Sequence, residues 1–258
     1  MLTNALVFTD LDGTLLDHHT YSFDAALPAL NALEARNIPV ILNSSKTRAE
    51  IRSIAQSLGL PTAIIAENGS LIALPDSDEP VIMGEDYEYI CQQIDRIREE
   101  HGFQCEGFHD WSVEKVAEVT GLPKESAALA RQREASEPML WFDSEPALNT
   151  FKEALEQANL TLKRGGRFWH VMGNTDKVKA MAYVTKHYQA DGEKPTVVAL
   201  GDGPNDQEMI AAADIGVIVY NPDGTPLAVT QRPDQKIIRT EAPGPEGWNT
   251  TLLALLTE

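Results

Sequence analysis

The chain is short of several things, and each shortage excludes something. Cysteine occurs twice, at Cys91 and Cys105, with no CxxC spacing and no histidine cluster beside them. That pattern supplies no disulfide framework and no zinc-ligand spacing; two idle thiols suit a reducing compartment. Positive charge is scarce, with 21 Lys and Arg against 39 Asp and Glu and a net charge of −18. Such a field repels nucleic acid and anionic membrane surfaces. A small phosphorylated substrate stays compatible with it, because a local metal or lysine outweighs a diffuse acidic field. No apolar run approaches the ~18 residues of a membrane span. The first apolar run stops at Phe8 and no basic segment precedes it, so no signal peptide is expected and the cytoplasm is the expected compartment. Repeats and low-complexity segments are missing as well.

What remains is a chain of 258 residues, 43% hydrophobic, long enough for one large domain or two smaller ones. Short apolar strands alternate with amphipathic helices. Residues 5–9 predict a strand, 24–36 a helix with Pro28 in its first turn, and 38–42 a second strand. Thr47-Arg-Ala-Glu50 reads as a capping box, and 63–66 as a strand. Glu67-Asn68-Gly69-Ser70 then predicts a tight turn into 71–74. The alternation resumes with a strand at 196–200, a helix at 204–213 and a strand at 215–219. This order predicts an α/β fold: a doubly wound, Rossmann-like, mostly parallel sheet covered on both faces. The middle differs, with helices expected over 87–100, 112–119, 124–135 and 145–158 and strands over 139–142 and 160–163. The expected organisation is therefore a core of 1–82 and 166–258 with an inserted α+β domain at 83–165. The Pro/Gly-rich stretch at 241–248 is expected as a surface connection before a short helix at 249–256.

Chemistry concentrates where these strands stop, which is where open parallel sheets bind ligands. Asp10 and Asp12 follow the first strand in VFTDLDGTLLD; one residue apart, they would crowd their charges on one face of a continuing strand. Asn43-Ser44-Ser45-Lys46-Thr47 follows the second. Lys177 opens a helix after a strand over 168–172, with Lys179 as a close competitor. Gly201-Asp202-Gly203-Pro204-Asn205-Asp206 follows the strand at 196–200. Together these pieces suit phosphoryl transfer. One carboxylate can attack phosphorus, and a second can give a proton to the leaving oxygen and later take one from water. A hydroxyl and a lysine can hold phosphoryl oxygens, and hard carboxylate oxygens suit Mg²⁺.

In this combination the residues resemble the haloacid dehalogenase superfamily of aspartate-nucleophile phosphatases. The match rests on DLDGTLLD, the hydroxyl after the second strand, the Lys of a D-K-x-x-A segment, and GDGPND. The resemblance implies Asp10 as nucleophile, Asp12 as general acid/base, and Ser44 with Lys177 as the phosphate-holding pair. It implies Mg²⁺ bound by the Asp10 carboxylate, the Asp12 carbonyl and Asp202, with Asp206 beside it. The insertion corresponds to the family's large α/β cap, as in the Cof-type branch. Within the superfamily, NSSKTRAEI, IAENGSLI, RQREASEP, RFWHVMG and GDGPNDQEM are similar to the mannosyl-3-phosphoglycerate phosphatases. That likeness implies hydrolysis of a small phosphorylated sugar-acid, with Ser45, Lys46, Asn68, Arg131, Arg133, Ser136, Glu137 and His170 as substrate contacts and Arg167 near the cleft. One departure stands out: Val178 occupies the place of the glycine that usually follows the motif lysine. Glucosyl-3-phosphoglycerate and hexose phosphates are alternative substrates. A phosphomutase of the same fold is an alternative enzyme, and a phospho-acceptor module, which would lack the insertion, an alternative class.

Overall fold

The computed structural model describes residues 2–189 and 192–257. The elements, in chain order, begin with β1 (Ala5–Thr9), α1 (Leu27–Glu34), β2 (Val40–Asn43), α2 (Arg48–Leu58), β3 (Ile64–Ala66), β4 (Leu71–Ala73) and β5 (Val81–Ile82). There follow α3 (Tyr87–His101), β6 (Cys105–Gly107), α4 (Val113–Thr120), α5 (Lys124–Ala130), β7 (Ser136–Trp141), α6 (Glu145–Gln157), β8 (Leu160–Arg164) and β9 (Trp169–Gly173). The last stretch holds α7 (Lys177–Tyr188), β10 (Thr196–Gly201), α8 (Gln207–Ala212), β11 (Ile215–Tyr220), β12 (Lys236–Pro243) and α9 (Gly244–Thr257).

Eight strands form one sheet in the order β12-β11-β10-β1-β2-β3-β4-β5. Pairing is parallel from β12 through β3, and the hairpins to β4 and β5 are antiparallel. β1 is apolar at nearly every position because both of its faces are covered, and all five of its residues are buried. Alternation along it divides the core in two. Val7 packs with Val40, Leu42, Val198 and Leu200 under α1, α2 and α9. Leu6 and Phe8 pack on the other face with Ile41, Ile65, Ala180, Val184 and Met209, under α7 and α8.

The second sheet, β6-β7-β9-β8, is antiparallel throughout. On one face α3 and α6 bury Ile90, Ile94, Ile97, Phe151 and Leu155 against Met139 and Val171. Beside it α4 and α5 build a smaller apolar cluster with Phe108, Trp111, Leu140 and Phe168.

Three expectations need correction. The strand at 169–173 does not belong to the parallel core: it pairs with β7 and β8, so the chain leaves the second sheet after Gly173 rather than near 166. Its alternation announced a strand, but nothing local says which sheet a strand joins. Second, α5 stops at Ala130 rather than 135, and the residues that follow run along the core surface. Third, the Pro/Gly-rich stretch at 241–248 is not an external connection. It ends β12 and opens α9, with Gly244, Pro245, Gly247 and Trp248 buried. Pro245 is tolerated because first-turn N–H groups lack intrahelical partners. Gly247 is required because a Cβ there would collide with the Ala242 carbonyl. Among the described residues no helix is long and apolar enough to cross a membrane, and Cys91 and Cys105 are free.

Trp248 is fully buried, and its indole Nε1–H donates to Thr9 Oγ1 at 3.0 Å, locking the last helix to the first strand. Trp248→Ala is expected to lower the unfolding free energy by about 3–5 kcal/mol, read by chemical denaturation. A loss under about 1 kcal/mol would mean that the indole does not anchor α9.

Candidate active site

The end of β1 is where the two aspartates part company. Asp10 N–H donates to Leu200 O at 2.9 Å, so the ladder continues one residue past the strand. The chain then turns sharply. Leu11 O accepts from Thr14 N and Leu16 N at 3.1 and 2.8 Å, and Gly13 sits at φ +77°. A side chain at position 13 would also press on the Asp202 carboxylate, since its Cβ would lie 2.7 Å from Oδ2. The turn separates Asp10 from Asp12, which removes the crowding a straight strand would impose.

Asp10 faces a buried acidic pocket. One carboxylate oxygen from each of Asp10, Asp202 and Asp206 lies within 4.8 Å of the others, and all three residues are buried. Lys177, 3% exposed, is set at the first turn of α7 by Asp176, whose side chain accepts from Lys179 N–H. Its Nζ donates to Asp10 Oδ1 (2.8 Å), Asp206 Oδ1 (2.6 Å) and Asn43 O (3.0 Å). Lys179 turns away and donates to Asn174 O, which resolves the competition between the two lysines. Burial works against the Lys177 charge, but Asp10 and Asp206 outweigh it and raise its pKa. Asp10 is held well above the usual carboxylate range, first by burial and then by Asp206. Burial likewise raises Asp202, against hydrogen bonds from Thr14 Oγ1 and Asn221 Nδ2, each at 2.7 Å.

Three carboxylates thus share one ammonium group in a pocket that disfavours net charge. Oxygen donors converging with charge left over fit a hard divalent cation, and magnesium is such an ion. Asp12 Oδ1 and Asn43 Oδ1 are also buried and find no hydrogen-bond partner among the described residues.

Asp12 pairs on its other oxygen with Lys46, Oδ2 to Nζ at 2.9 Å. Desolvation acts against that lysine's charge, yet Asp12 and Glu50 raise its pKa overall. Ser44 is buried beside this pair, its Oγ accepting from Lys46 N–H at 3.3 Å. Asn68 lies next to it, donating its backbone N–H to Ser44 O at 3.0 Å, and adopts a left-handed backbone along with Glu67 and Gly69.

The expected contacts from the inserted domain divide into groups. Arg133 and Ser136 meet the core rather than an open cleft. Arg133 Nη1 and Nη2 donate to Ser45 O at 3.3 Å, and Nη2 donates to Ser136 Oγ at 2.6 Å. Glu67, fully buried, accepts from the N–H groups of Glu134 and Ala135 and from Ser136 Oγ, at 2.8 to 3.1 Å. Arg48 and Glu134 add a two-pronged ion pair at 2.8 and 2.9 Å across the same junction. Arg131 is half-buried with Nε on Phe108 O, and Arg167 is drawn to Val119 O. His170 is buried, its Nδ1 has no partner among the described residues, and burial plus Arg133 lower its pKa to about 3, so the ring is neutral.

Glu137 does not reach the cleft. Its carboxylate is sealed against α3, accepting from Tyr87 OH at 2.7 Å and from both the N–H and ring Nδ1 of His109 at 2.8 Å. Adjacent strand residues face opposite ways, so Ser136 and Glu137 cannot serve the same face. Sequence reasoning also missed Thr14, Asn221 and Glu67. Asn221 sits just past β11, at a strand end like those already singled out, and Thr14 and Glu67 lie inside motifs already quoted.

Comparison with known proteins bears on this geometry. Residues 7–228 match the family model described as haloacid dehalogenase-like hydrolase. The chain belongs to the haloacid dehalogenase-like hydrolase family. A glucosyl-3-phosphoglycerate/mannosyl-3-phosphoglycerate phosphatase of Methanococcoides burtonii is 37% identical over 270 residues, covering 97% of each chain. With that relative the family placement makes this hydrolase a phosphoric monoester hydrolase. Solved structures share its fold. A haloacid dehalogenase-like hydrolase from Bacteroides thetaiotaomicron gives a TM-score of 0.68 at 18% identity, covering 98% of this chain and 99% of that one. A subclass IIB sugar phosphatase gives 0.65 at 19%, covering 97% of each. In this hydrolase the second sheet is accordingly the family's cap.

His109 reports on how the cap is held together internally. Burial opposes its charge, but Glu137, Asp95 and Asp110 outweigh that and raise its pKa to about 9. A raised pKa gives stability that is complete below the unfolded value and lost as pH rises through the folded one. The stability gap between wild type and His109→Gln is therefore expected to be widest near pH ~6 and to shrink by pH ~10, measured by denaturant unfolding. A gap that grows with pH would contradict the protonated bridge.

Proposed function

We propose that this hydrolase releases phosphate from a glycosyl-3-phosphoglycerate, with the mannosyl compound as the leading substrate, by way of a phosphorylated Asp10. The observation that carries the chemistry is the grouping of Asp10, Asp202 and Asp206 around one lysine, with Asp12 held apart on Lys46. The relative's name supports the substrate, and the cap supports a small organic leaving group over a macromolecular one.

Bound by the carboxylates of Asp10 and Asp202 and the Asp12 carbonyl, with Asp206 beside them, Mg²⁺ would supply positive charge between two anions that otherwise repel. The residues do the rest. A carboxylate oxygen of Asp10 attacks phosphorus, and the bond from phosphorus to the glyceryl oxygen breaks. The electron pair leaves on that oxygen, which takes a proton from Asp12. Ser44 and Lys177 hold phosphoryl oxygens as charge shifts onto them. Asp12 then takes a proton from water, and the hydroxide attacks phosphorus, releasing phosphate and restoring Asp10. Lys46, whose Nζ lies 2.9 Å from Asp12 Oδ2, positions that side chain for both transfers.

Ser45, Asn68, Arg131 and His170 are the remaining candidates for contact with the sugar and the glycerate carboxylate. Arg133 and Ser136 serve closure of the cap on Ser45 and Glu67 instead. The two free thiols accord with a reducing, cytoplasmic setting.

A panel of glucosyl- and mannosyl-3-phosphoglycerate, hexose phosphates and 3-phosphoglycerate, ranked by kcat/KM, tests this reading. The glycosyl-phosphoglycerates are expected to lead by at least about tenfold, with EDTA abolishing release and Mg²⁺ restoring it. A hexose phosphate at the head of the ranking, isomerised sugar phosphate with little free phosphate, or turnover without metal would overturn it.

A further inference from the structure

Tyr21 is out of place on three counts. Its backbone lies at φ +57°, in the left-handed region where glycine and asparagine are at home and an aromatic residue is an outlier. Its ring is 51% exposed and joins none of the apolar clusters among the described residues. The loop around it is nevertheless firmly built. Asp17 Oδ1 accepts from His19 N, Thr20 N and Thr20 Oγ1 at 3.1, 2.7 and 2.8 Å. Asp17 N–H donates to Ser22 O at 2.8 Å, and Tyr21 N–H donates to Asp17 O at 3.0 Å. These bonds hold a strained residue in place and leave its side chain in solvent, which core packing does not explain.

The position of the ring supplies a reason. Lys46 Nζ lies 5.6 Å from the centre of the Tyr21 ring, and the same ammonium pairs with Asp12 Oδ2 at 2.9 Å. In the proposed mechanism Asp12 gives its proton to the leaving oxygen, so whatever leaves is seated beside Asp12 and its partner Lys46, the lysine that the Tyr21 ring flanks. The apolar C–H face of a pyranose ring packs on an aromatic face, while the phenol edge stays hydrated.

We propose that Tyr21 is the platform on which the sugar ring of the leaving group packs, and so a specificity-determining residue of this site. The inference rests on the proposed function for the identity of the leaving group, and it names a contact from the core side, opposite the cap. Tyr21 does no chemistry. It selects for substrates that carry a glycosyl ring next to the cleaved ester. The left-handed backbone is what turns the ring toward the site, which accounts for a bulky residue where a turn alone would take glycine.

The test compares two substrates that share the same ester, a glycosyl-3-phosphoglycerate and 3-phosphoglycerate without its sugar. In Tyr21→Ala, KM for the glycosyl compound is expected to rise about tenfold, with kcat and the KM for 3-phosphoglycerate within about twofold of wild type. Tyr21→Phe, which keeps the aromatic face, should match wild type on both. Tyr21→Gly should lose the glycosyl preference as Tyr21→Ala does, while its melting temperature rises because the strain is gone. Equal losses on both substrates would show that the ring only holds Lys46, and unchanged KM values would show that it touches no substrate; either result overturns the proposal. Should the panel place another sugar phosphate first, the glycosyl-phosphoglycerate reading has failed. The Tyr21 proposal is still judged on the KM split between the glycosyl-3-phosphoglycerate and 3-phosphoglycerate, whichever substrate leads the ranking.

Discussion

A single ammonium group, that of Lys177, holds the site together. It bridges Asp10 and Asp206 and caps the end of β2 through Asn43 O. Without it three buried carboxylates would face one another with only neutral donors for company, a state that burial makes costly. Much of the fold can be read as what keeps that ammonium in position. β10, β1 and β2 are adjacent and parallel, so the residues leaving their carboxyl ends emerge side by side. The turn at 67–69 presses on the start of α7 so closely that Gly69 has no room for a Cβ beside the Asp176 carbonyl. At the far side Trp248 reaches Thr9, whose hydroxyl donates to Asp10 O at 2.7 Å.

The same loops serve the cap. Ser45 and Glu67 follow β2 and β3, and they receive the guanidinium of Arg133 and the N–H groups of Glu134 and Ala135. Residues proposed to meet the substrate and residues that hold the cap are thus neighbours in sequence, Ser44 beside Ser45 and Asn68 beside Glu67. A shift of the cap must pass through the loops that frame the Asp10 cluster. The Glu67 carboxylate exchanges water for several directed donors, the condition under which a fully buried charge is tolerated.

Much of this was legible in the sequence because it is local. Strand-end aspartates, the Gly-Thr turn and the Thr47 capping box need only a few consecutive residues, and the capping box forms as read, with Thr47 N–H on Glu50 Oε2 at 2.9 Å. Lys177 was harder, since choosing it over Lys179 depends on which face of the first turn of α7 meets Asp10. What stayed hidden depends on distant partners. β9 is a strand by its pattern, but only its neighbours β7 and β8 make it a cap strand. β5 is too short, at two residues, to leave a periodic trace. The RQREASEP resemblance implied Glu137 as a ligand, yet strand alternation sends it to the face opposite Ser136, where His109 and Tyr87 hold its carboxylate. Glycine at 244 and 247 suggested a surface loop, whereas a left-handed backbone at 244 and close packing against Ala242 at 247 are what need it.

The account comes down to a bond between phosphorus and a carboxylate oxygen at position 10. Acid-quenched enzyme taken during turnover, digested and analysed by mass spectrometry, tests that bond most directly. The account predicts a phosphorylated peptide with the added mass on Asp10, present only with substrate and absent from Asp10→Asn. Phosphate on another residue, or an Asp10→Asn enzyme that still turns over, would contradict it.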